Sequence, residues 1–144
     1  MKLKINLLML AWLGLNCSNV SAKLPKELEC LTRNVYYESG NQSYKGKLAV
    51  ALVTLNRVNH PNYPDTICKV VYQPMQFSWT KDSKLLATKV NNQQWFESFL
   101  AAKEAMSGSS ALGSFSATHF HNIWVDPKWG LKRVAKIGQH IFYK

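Results

Sequence analysis

Glu38 is the residue of this sequence best placed for acid catalysis. It follows two tyrosines and continues the series Leu28, Leu31 and Val35 at helical spacing, which predicts that its side chain faces the interior. Apolar and aromatic surroundings raise a carboxyl pKa because they desolvate the anion. An acid that stays protonated near neutral pH can protonate the leaving oxygen of a glycosidic bond. The plainer alternative is that Glu38 ends a helix at the surface.

A second candidate group has the composition of a sugar-binding surface. Gln76, Ser78 and Trp79 place hydrogen-bonding groups beside an aromatic plane, and a sugar ring presents both a hydroxyl edge and an apolar face. We expect these three residues to line a groove for a glycan. The alternative is that the aromatic residues pack in the core, and this alternative is stronger for Phe77.

Two histidines form the third candidate group. Residues 114–125 alternate with a period of two, which predicts a strand or hairpin arm with His119 and His121 on one face. Together they could hold a metal, but no third ligand stands at a recognisable spacing. We therefore predict no metal and no cofactor, and expect Thr118, His119 and His121 to form hydrogen bonds, either lining the groove or satisfying the sheet interior.

The elements that carry these residues are mostly helical. A helix after Pro25 is broken by Ser39-Gly40-Asn41, and the apolar segment 47–58 predicts a second, central helix. Pro64-Asp65-Thr66 predicts a cap, supplied by Asp65, for a short helix carrying Cys68. With the strands predicted over 114–125 and 137–143, these helices predict an α+β fold that is mainly helical with a small antiparallel sheet.

The second half of the chain adds one more helix and a last strand. Trp95, Phe99, Ala102 and Met106 recur at helical spacing with Gly108 beyond them, which predicts an amphipathic helix whose stripe packs in the core. Residues 137–143 predict the final strand. No repeat or low-complexity segment divides the chain, so we expect a single domain.

The first 22 residues have the pattern of a secretory signal peptide. Two early lysines precede an apolar run, and Val20-Ser21-Ala22 supplies small residues for cleavage. We predict a signal peptide over 1–22, a domain over 23–144 and a secreted or periplasmic location, with a retained signal anchor as the alternative. Cleavage leaves only Cys30 and Cys68, which predicts a disulfide in an oxidising compartment. Two buried thiols are the other possibility.

Several ordered blocks of sequence resemble one known family. They are Asn34-Val-Tyr-Tyr-Glu38, Gly46-x-x-Ala-Val50, Leu55-Asn-Arg-Val58, Val71-Tyr-Gln-Pro74 with Phe77-Ser-Trp79, Ala117-Thr-His-Phe-His121, and Ile137-Gly-x-His-x-Phe-Tyr143. From about Cys30 to the C-terminus the chain resembles the SleB-like cell wall hydrolases. The resemblance implies a lysozyme-like or lytic-transglycosylase-like domain. It also implies cleavage between N-acetylmuramic acid and N-acetylglucosamine in peptidoglycan, with Glu38 as the acid.

The sequence departs from that family just after the glutamate. Ser39-Gly40-Asn41-Gln42 stands where Ala-Arg-Gly-Glu is usual. A hydrolase needs a second carboxylate about 5 to 9.5 Å from the first, and Gln42 cannot ionise. A lytic transglycosylase needs only one acid, so we favour that mechanism. The alternative is a hydrolytic muramidase using a distant Asp82 or Asp126, although Asp126 precedes a proline and is typical of a turn.

The charge of the chain indicates polyanionic partners. Loss of Lys2 and Lys4 with the leader leaves 16 basic side chains against 8 acids, a net charge of +8. No basic block or RNA-binding signature indicates nucleic acid, so we expect peptidoglycan and anionic cell wall polymers as partners of a monomer. Two other functions stay open, namely a metal-dependent N-acetylmuramoyl-L-alanine amidase and an inactive wall-binding module.

Overall fold

The computed structural model describes residues 24–144. The signal peptide predicted over 1–22 lies outside the described residues. Within residues 24–144, no helix is both long enough and apolar enough to cross a membrane.

The described residues form a helical body with a small sheet at one side, which confirms the predicted α+β class. Its elements are α1 (Lys26–Ser39), α2 (Tyr44–Val58), α3 (Ile67–Val71), a 3-10 turn (Ser78–Lys81), α4 (Ser83–Ala87), α5 (Asn92–Met106), β1 (His119–Asn122), β2 (Arg133–Ile137) and β3 (His140–Tyr143). Helices α1, α2 and α5 pack against one another, and the sheet has the order β1-β3-β2.

Helix α2 is the centre of the core, as its apolar sequence predicts. Ala49, Val50, Ala51 and Val53 are fully buried. The helix begins three residues earlier than its apolar run because the Ser43 side chain accepts a hydrogen bond from the Gly46 amide. An apolar run marks the buried part of a helix, and the polar first turn is set by the cap.

The predicted disulfide is confirmed. Cys30 on α1 and Cys68 on α3 are bonded, with their Cα atoms 5.3 Å apart. The prediction that Asp65 caps α3 is wrong. Thr66 is the N-cap and accepts from the Lys69 amide at 3.3 Å, while the Asp65 carboxylate pairs with the Lys69 ammonium at 2.9 Å. The threonine lies one residue nearer to the helix and can therefore reach its free amide.

Helix α5 turns a different face inward from the one predicted. Its buried residues are Ser98, Ala101, Ala102 and Ala105, whereas Met106 is 42% exposed. Small side chains let α5 approach α1 and α2 closely, so the alanine row forms the contact and the larger side chains lie beside it. The predicted helix is confirmed, but side-chain size decides which of its faces is buried.

The sheet is shorter than the sequence pattern suggests. The period-two segment 114–125 pairs as a strand only over His119–Asn122, since its partner β3 has only four residues. The predicted last strand over 137–143 is two strands. Gly138 adopts φ +56° and reverses the chain, so that Ile137 pairs with His140 in a two-residue hairpin.

The loop after α1 is fastened to this hairpin. The Gln42 side chain accepts a hydrogen bond from the Gln139 amide at 3.0 Å and donates to the Gln139 side-chain oxygen at 3.0 Å. The backbone oxygen of Gln42 accepts from the buried Lys47 ammonium at 2.6 Å, and Lys47 also pairs with Glu97 at 3.0 Å. Gln42 is therefore a structural link between two parts of the chain that are distant in sequence.

Candidate active site

Glu38 lies in the last turn of α1, on the side of the helix that faces the core. Leu31 and Val35, one and two turns earlier, are fully buried and hold that side inward, and Glu38 itself is half-buried. Burial raises the pKa of Glu38 from 4.5 to about 7, although the positive charge of Arg57 acts in the opposite direction. The carboxyl group is therefore suited to holding a proton near neutral pH.

A buried polar network supports this turn of the helix. Asn34 is fully buried. Its amide nitrogen donates to the Thr54 hydroxyl at 3.1 Å, and its oxygen accepts from the Trp79 indole nitrogen at 3.0 Å. Tyr37 stacks on Trp79 with ring centroids 4.6 Å apart. The network joins α1, α2 and the 3-10 turn, and its central residue, Asn34, lies one helical turn before Glu38 on α1.

The groove role expected for Trp79 is therefore wrong. Trp79 is only 3% exposed, as is Phe77, so neither ring has a face free for a sugar. Trp79 instead fixes Asn34 and Tyr37 in place. The motif Gln76-Phe77-Ser78-Trp79 does not by itself show whether the tryptophan is buried or exposed. Polar neighbours are expected in both cases, because the indole nitrogen needs a hydrogen-bond partner wherever it lies.

Arg57 is a buried charged residue within electrostatic range of Glu38. Its side chain is 5% exposed. Its Nε atom donates to the Thr118 carbonyl at 2.7 Å, and its guanidinium carbon lies 5.4 Å from the Tyr63 ring centre and 5.3 Å from that of Phe77. Burial lowers the pKa of Arg57, while Tyr63 and Glu38 raise it.

One guanidinium nitrogen of Arg57, Nη1, is buried without a hydrogen-bond partner. Arg57 ends the central helix within electrostatic range of Glu38, and its contacts with Thr118 and Tyr63 bring it to the wall of a cleft. An arginine in the last turn of a helix also interacts favourably with the helix dipole, so the sequence alone does not single out Arg57.

The cleft has a volume of about 530 Å³. It is lined by His60, Asn62, Tyr63, Gln73, Gln76, Thr118, His119, Leu131 and Lys144. Three of the residues predicted to bind a glycan therefore line the same cleft, namely Gln76, Thr118 and His119. Ser78 is exposed at the start of the 3-10 turn but is not among the lining residues.

His119 is held in place from both ring nitrogens. Nδ1 lies 2.9 Å from the Thr118 hydroxyl and Nε2 lies 3.3 Å from the Tyr63 hydroxyl. Burial, followed by the charge of Arg57 and of His60, lowers the pKa of His119. The ring is therefore uncharged near neutral pH and lines the cleft in a fixed orientation.

His121 lies on the same face of β1 but outside the cleft lining. Its Nδ1 atom is 2.8 Å from the Asn122 carbonyl oxygen and its Nε2 atom is 3.0 Å from the Tyr143 hydroxyl. Both histidines thus use both ring nitrogens in contacts with protein oxygens. Within residues 24–144, no group of three or more His, Cys, Asp or Glu side chains is arranged to hold a metal.

The other carboxylates have structural partners. Of the eight acids in the chain, all but Glu38 are bonded as follows: Glu27 to the Cys68 amide, Glu29 to Arg33, Asp65 to Lys69, Asp82 to the Leu85 amide, Glu97 to Lys47, Glu104 to Tyr44 and Asp126 to Lys128. Asp82 caps α4, and Asp126 lies in an exposed turn. Each of these groups already has a role that does not involve Glu38.

The described residues form a helical body with a small antiparallel sheet and a half-buried carboxyl at a helix end, an arrangement consistent with a lysozyme-like fold. The fold of the catalytic domain of the germination-specific lytic transglycosylase SleB from Bacillus anthracis matches it with a TM-score of 0.69 and 28% identity, over 86% of this chain and 98% of that domain. The predicted lysozyme-like fold is confirmed.

The chain belongs to the Cell Wall Hydrolase family, whose pattern matches residues 41–143. The spore cortex-lytic enzyme of Bacillus subtilis is 30% identical over 129 residues, and that of Halalkalibacterium halodurans is 29% identical over 122 residues. These matches cover 85% and 81% of this chain, but the chain spans only 41% and 34% of the length of those relatives. The predicted family membership is confirmed.

Proposed function

We propose that this domain cleaves the glycan strands of peptidoglycan between N-acetylmuramic acid and N-acetylglucosamine, as a lytic transglycosylase with Glu38 as its one catalytic carboxyl. Family membership and the names of the related proteins support the substrate class. The single observation that carries the mechanism is the half-buried Glu38, whose pKa is raised to about 7, in a chain whose other carboxylates are bonded elsewhere.

The proposed reaction uses Glu38 twice. The protonated carboxyl first gives its proton to the glycosidic oxygen, so that the bond to the muramic acid C1 breaks and N-acetylglucosamine leaves. The resulting carboxylate then removes the proton from the C6 hydroxyl of the same muramic acid. The C6 oxygen attacks C1 and closes a 1,6-anhydro ring, which returns Glu38 to its acid form without a water molecule or a second carboxylate.

Arg57 has a clear part in this cycle. Between the two proton transfers Glu38 is an anion in a desolvated position, which is unfavourable without a nearby positive charge. Arg57 supplies that charge from a fixed position, since Thr118 and the rings of Tyr63 and Phe77 hold its side chain. A charge that is already in position needs no reorganisation during the reaction.

The proposed glycan groove is the cleft that contains Gln76, Thr118 and His119. Gln76 is exposed and offers both a donor and an acceptor, and the uncharged His119 lines the cleft in a fixed orientation. We also propose that Ser78 and His121, which lie outside the cleft lining, contact the glycan strand beyond the cleft. We further propose that the domain acts outside the cytoplasmic membrane, where its substrate lies, and the signal peptide over 1–22 stays a prediction.

The test is mass spectrometry of muropeptides released from purified peptidoglycan. The domain should release fragments ending in 1,6-anhydromuramic acid, and Glu38→Gln should abolish them. Glu29→Gln is the matched control, because it replaces a carboxylate on the same helix that only pairs with Arg33, and it should keep full activity. Products with a reducing end would show that the reaction is hydrolysis rather than transglycosylation. Freed stem peptides would show that the domain is an amidase. If the wild type releases no fragments, the proposal that the domain is an enzyme is refuted.

A further inference from the structure

Trp129 is an exposed aromatic residue that the mechanism does not use. It is 43% exposed and lies at the crest of the loop between β1 and β2. The residues on either side of it, Lys128 and Gly130, have φ values of +53° and +66°. The positive φ at Lys128 is a strained conformation for a residue with a side chain, and such strain concentrates at functional sites.

The C-terminal end of this loop, just after Trp129, is fixed by backbone hydrogen bonds. Lys132 and Lys144 exchange two backbone hydrogen bonds, of 3.1 and 2.9 Å. The Trp129 ring centre lies 5.5 Å from that of His119 and 5.4 Å from that of His121. The ring planes are inclined by 59° and 78°, so neither imidazole stacks flat on the indole. Trp129 is therefore held in one position while much of its surface stays in solvent.

Trp129 lines a hollow that adjoins the cleft. This hollow, of about 170 Å³, is formed by the loop 126–131 and Tyr143. Leu131 lines both the hollow and the cleft, and His119, which contacts Trp129, lines the cleft as well. The aromatic surface is thus continuous with the groove that contains Gln76 and Thr118.

We propose that Trp129 forms a sugar-stacking subsite at this end of the cleft, where it packs against the apolar ring face of one N-acetylhexosamine of the glycan strand. The inference rests on the proposed function and adds a binding residue to it. A pyranose ring needs an exposed, rigid apolar surface next to hydrogen-bonding groups. Trp129 offers the apolar surface, and Thr118 and Gln76 of the adjoining cleft offer the polar groups, a combination that the buried Trp79 cannot provide.

The experiment measures glycan binding rather than cleavage. Peptidoglycan glycan strands stripped of their stem peptides are titrated calorimetrically into the full chain carrying Glu38→Gln, so that no cleavage disturbs the measurement. Trp129→Ala should weaken binding about tenfold, the effect of removing one aromatic contact. Trp129→Phe should recover most of the loss. Trp124→Ala is the matched control, because Trp124 is 80% exposed and lines neither the hollow nor the cleft, and it should leave binding within about twofold.

Each outcome separates this inference from the proposed function. If Trp129→Ala and Trp124→Ala bind stripped strands as tightly as the parent, the subsite is refuted, while Glu38-dependent release of muropeptides still supports the enzyme. If Trp129→Ala weakens only the binding of strands that keep their stem peptides, Trp129 contacts peptide and the sugar-stacking assignment is wrong. Loss of binding in Trp129→Ala without recovery in Trp129→Phe, at unchanged melting temperature, also contradicts stacking.

Discussion

Replacing Glu38 with glutamine should make the domain more stable at alkaline pH while it abolishes cleavage. In the unfolded chain the carboxyl has its ordinary pKa of 4.5, and in the folded chain burial raises it to about 7. The folded state therefore holds the proton more tightly, and the stabilisation it gives is complete below 4.5 and lost as pH rises through 7. Glutamine, which does not ionise, removes this dependence.

The expected size follows from the pKa difference. A shift from 4.5 to about 7 corresponds to about 3 kcal/mol of unfolding free energy at pH values above both. A small domain has only about 5 to 15 kcal/mol in total, so the change is readily measured. The assay is urea unfolding, with the disulfide intact, of wild type and Glu38→Gln at about pH 4 and about pH 8.5, where the two carboxyl states are separated.

The difference in unfolding free energy between wild type and variant is measured at each pH. The informative quantity is how much this difference changes from one pH to the other. Other titrating groups cancel in it because both proteins contain them. Glu29→Gln serves as the reference, since an exposed ion pair such as that with Arg33 contributes about 0 to 1 kcal/mol. If Glu38→Gln follows the wild type within about 0.5 kcal/mol at both pH values, near the precision of the method, the carboxyl is well solvated and the reasoning about its proton fails.

Three further results are expected. The initial rate of glycan cleavage should fall about tenfold between about pH 6 and about pH 8 as the Glu38 acid with a pKa of about 7 loses its proton, whereas a fall of about a hundredfold would indicate an acid with an ordinary pKa. Trp79→Phe leaves the buried oxygen of Asn34 without its donor and should lower the unfolding free energy by about 1 to 3 kcal/mol in urea titrations, a cost that a Trp79 exposed in the groove would not show. Replacing Cys30 and Cys68 with alanine opens a loop of 38 residues and should cost about 4 kcal/mol in the same measurement, and an unchanged midpoint would mean that the loop is already constrained.

The features that the sequence predicted correctly are those set by local pattern. The inward direction of Glu38 follows from the spacing of Leu31 and Val35, which are fully buried as expected. The disulfide was predicted by counting the cysteines outside the predicted signal peptide, Cys30 and Cys68. In both cases a single physical rule connects the residue types to the outcome, and no knowledge of distant contacts is needed.

The features that escaped prediction depend on contacts between distant segments. Arg57 reaches Thr118, 61 residues away, and no spacing within α2 reveals that partner. The limits of β1 are set by the length of β3, and the buried face of α5 by the alanines that allow close packing. The groove position predicted for Trp79 is wrong because a short aromatic motif contains no information on which of its sides the rest of the chain will cover.

The contact between Gln42 and the β2–β3 hairpin restricts how this chain can change. A Cβ atom at position 138 would lie 2.6 Å from the Gln42 side-chain oxygen, so the glycine is required both by its positive φ and by this oxygen. A glutamate at position 42 would still accept from the Gln139 amide, but the Gln139 side-chain amide would have to turn over so that its nitrogen, in place of its oxygen, faces the carboxylate. Positions 42, 138 and 139 should therefore covary among homologues, and position 42 in the loop after α1 should differ together with the residues of the hairpin rather than on its own.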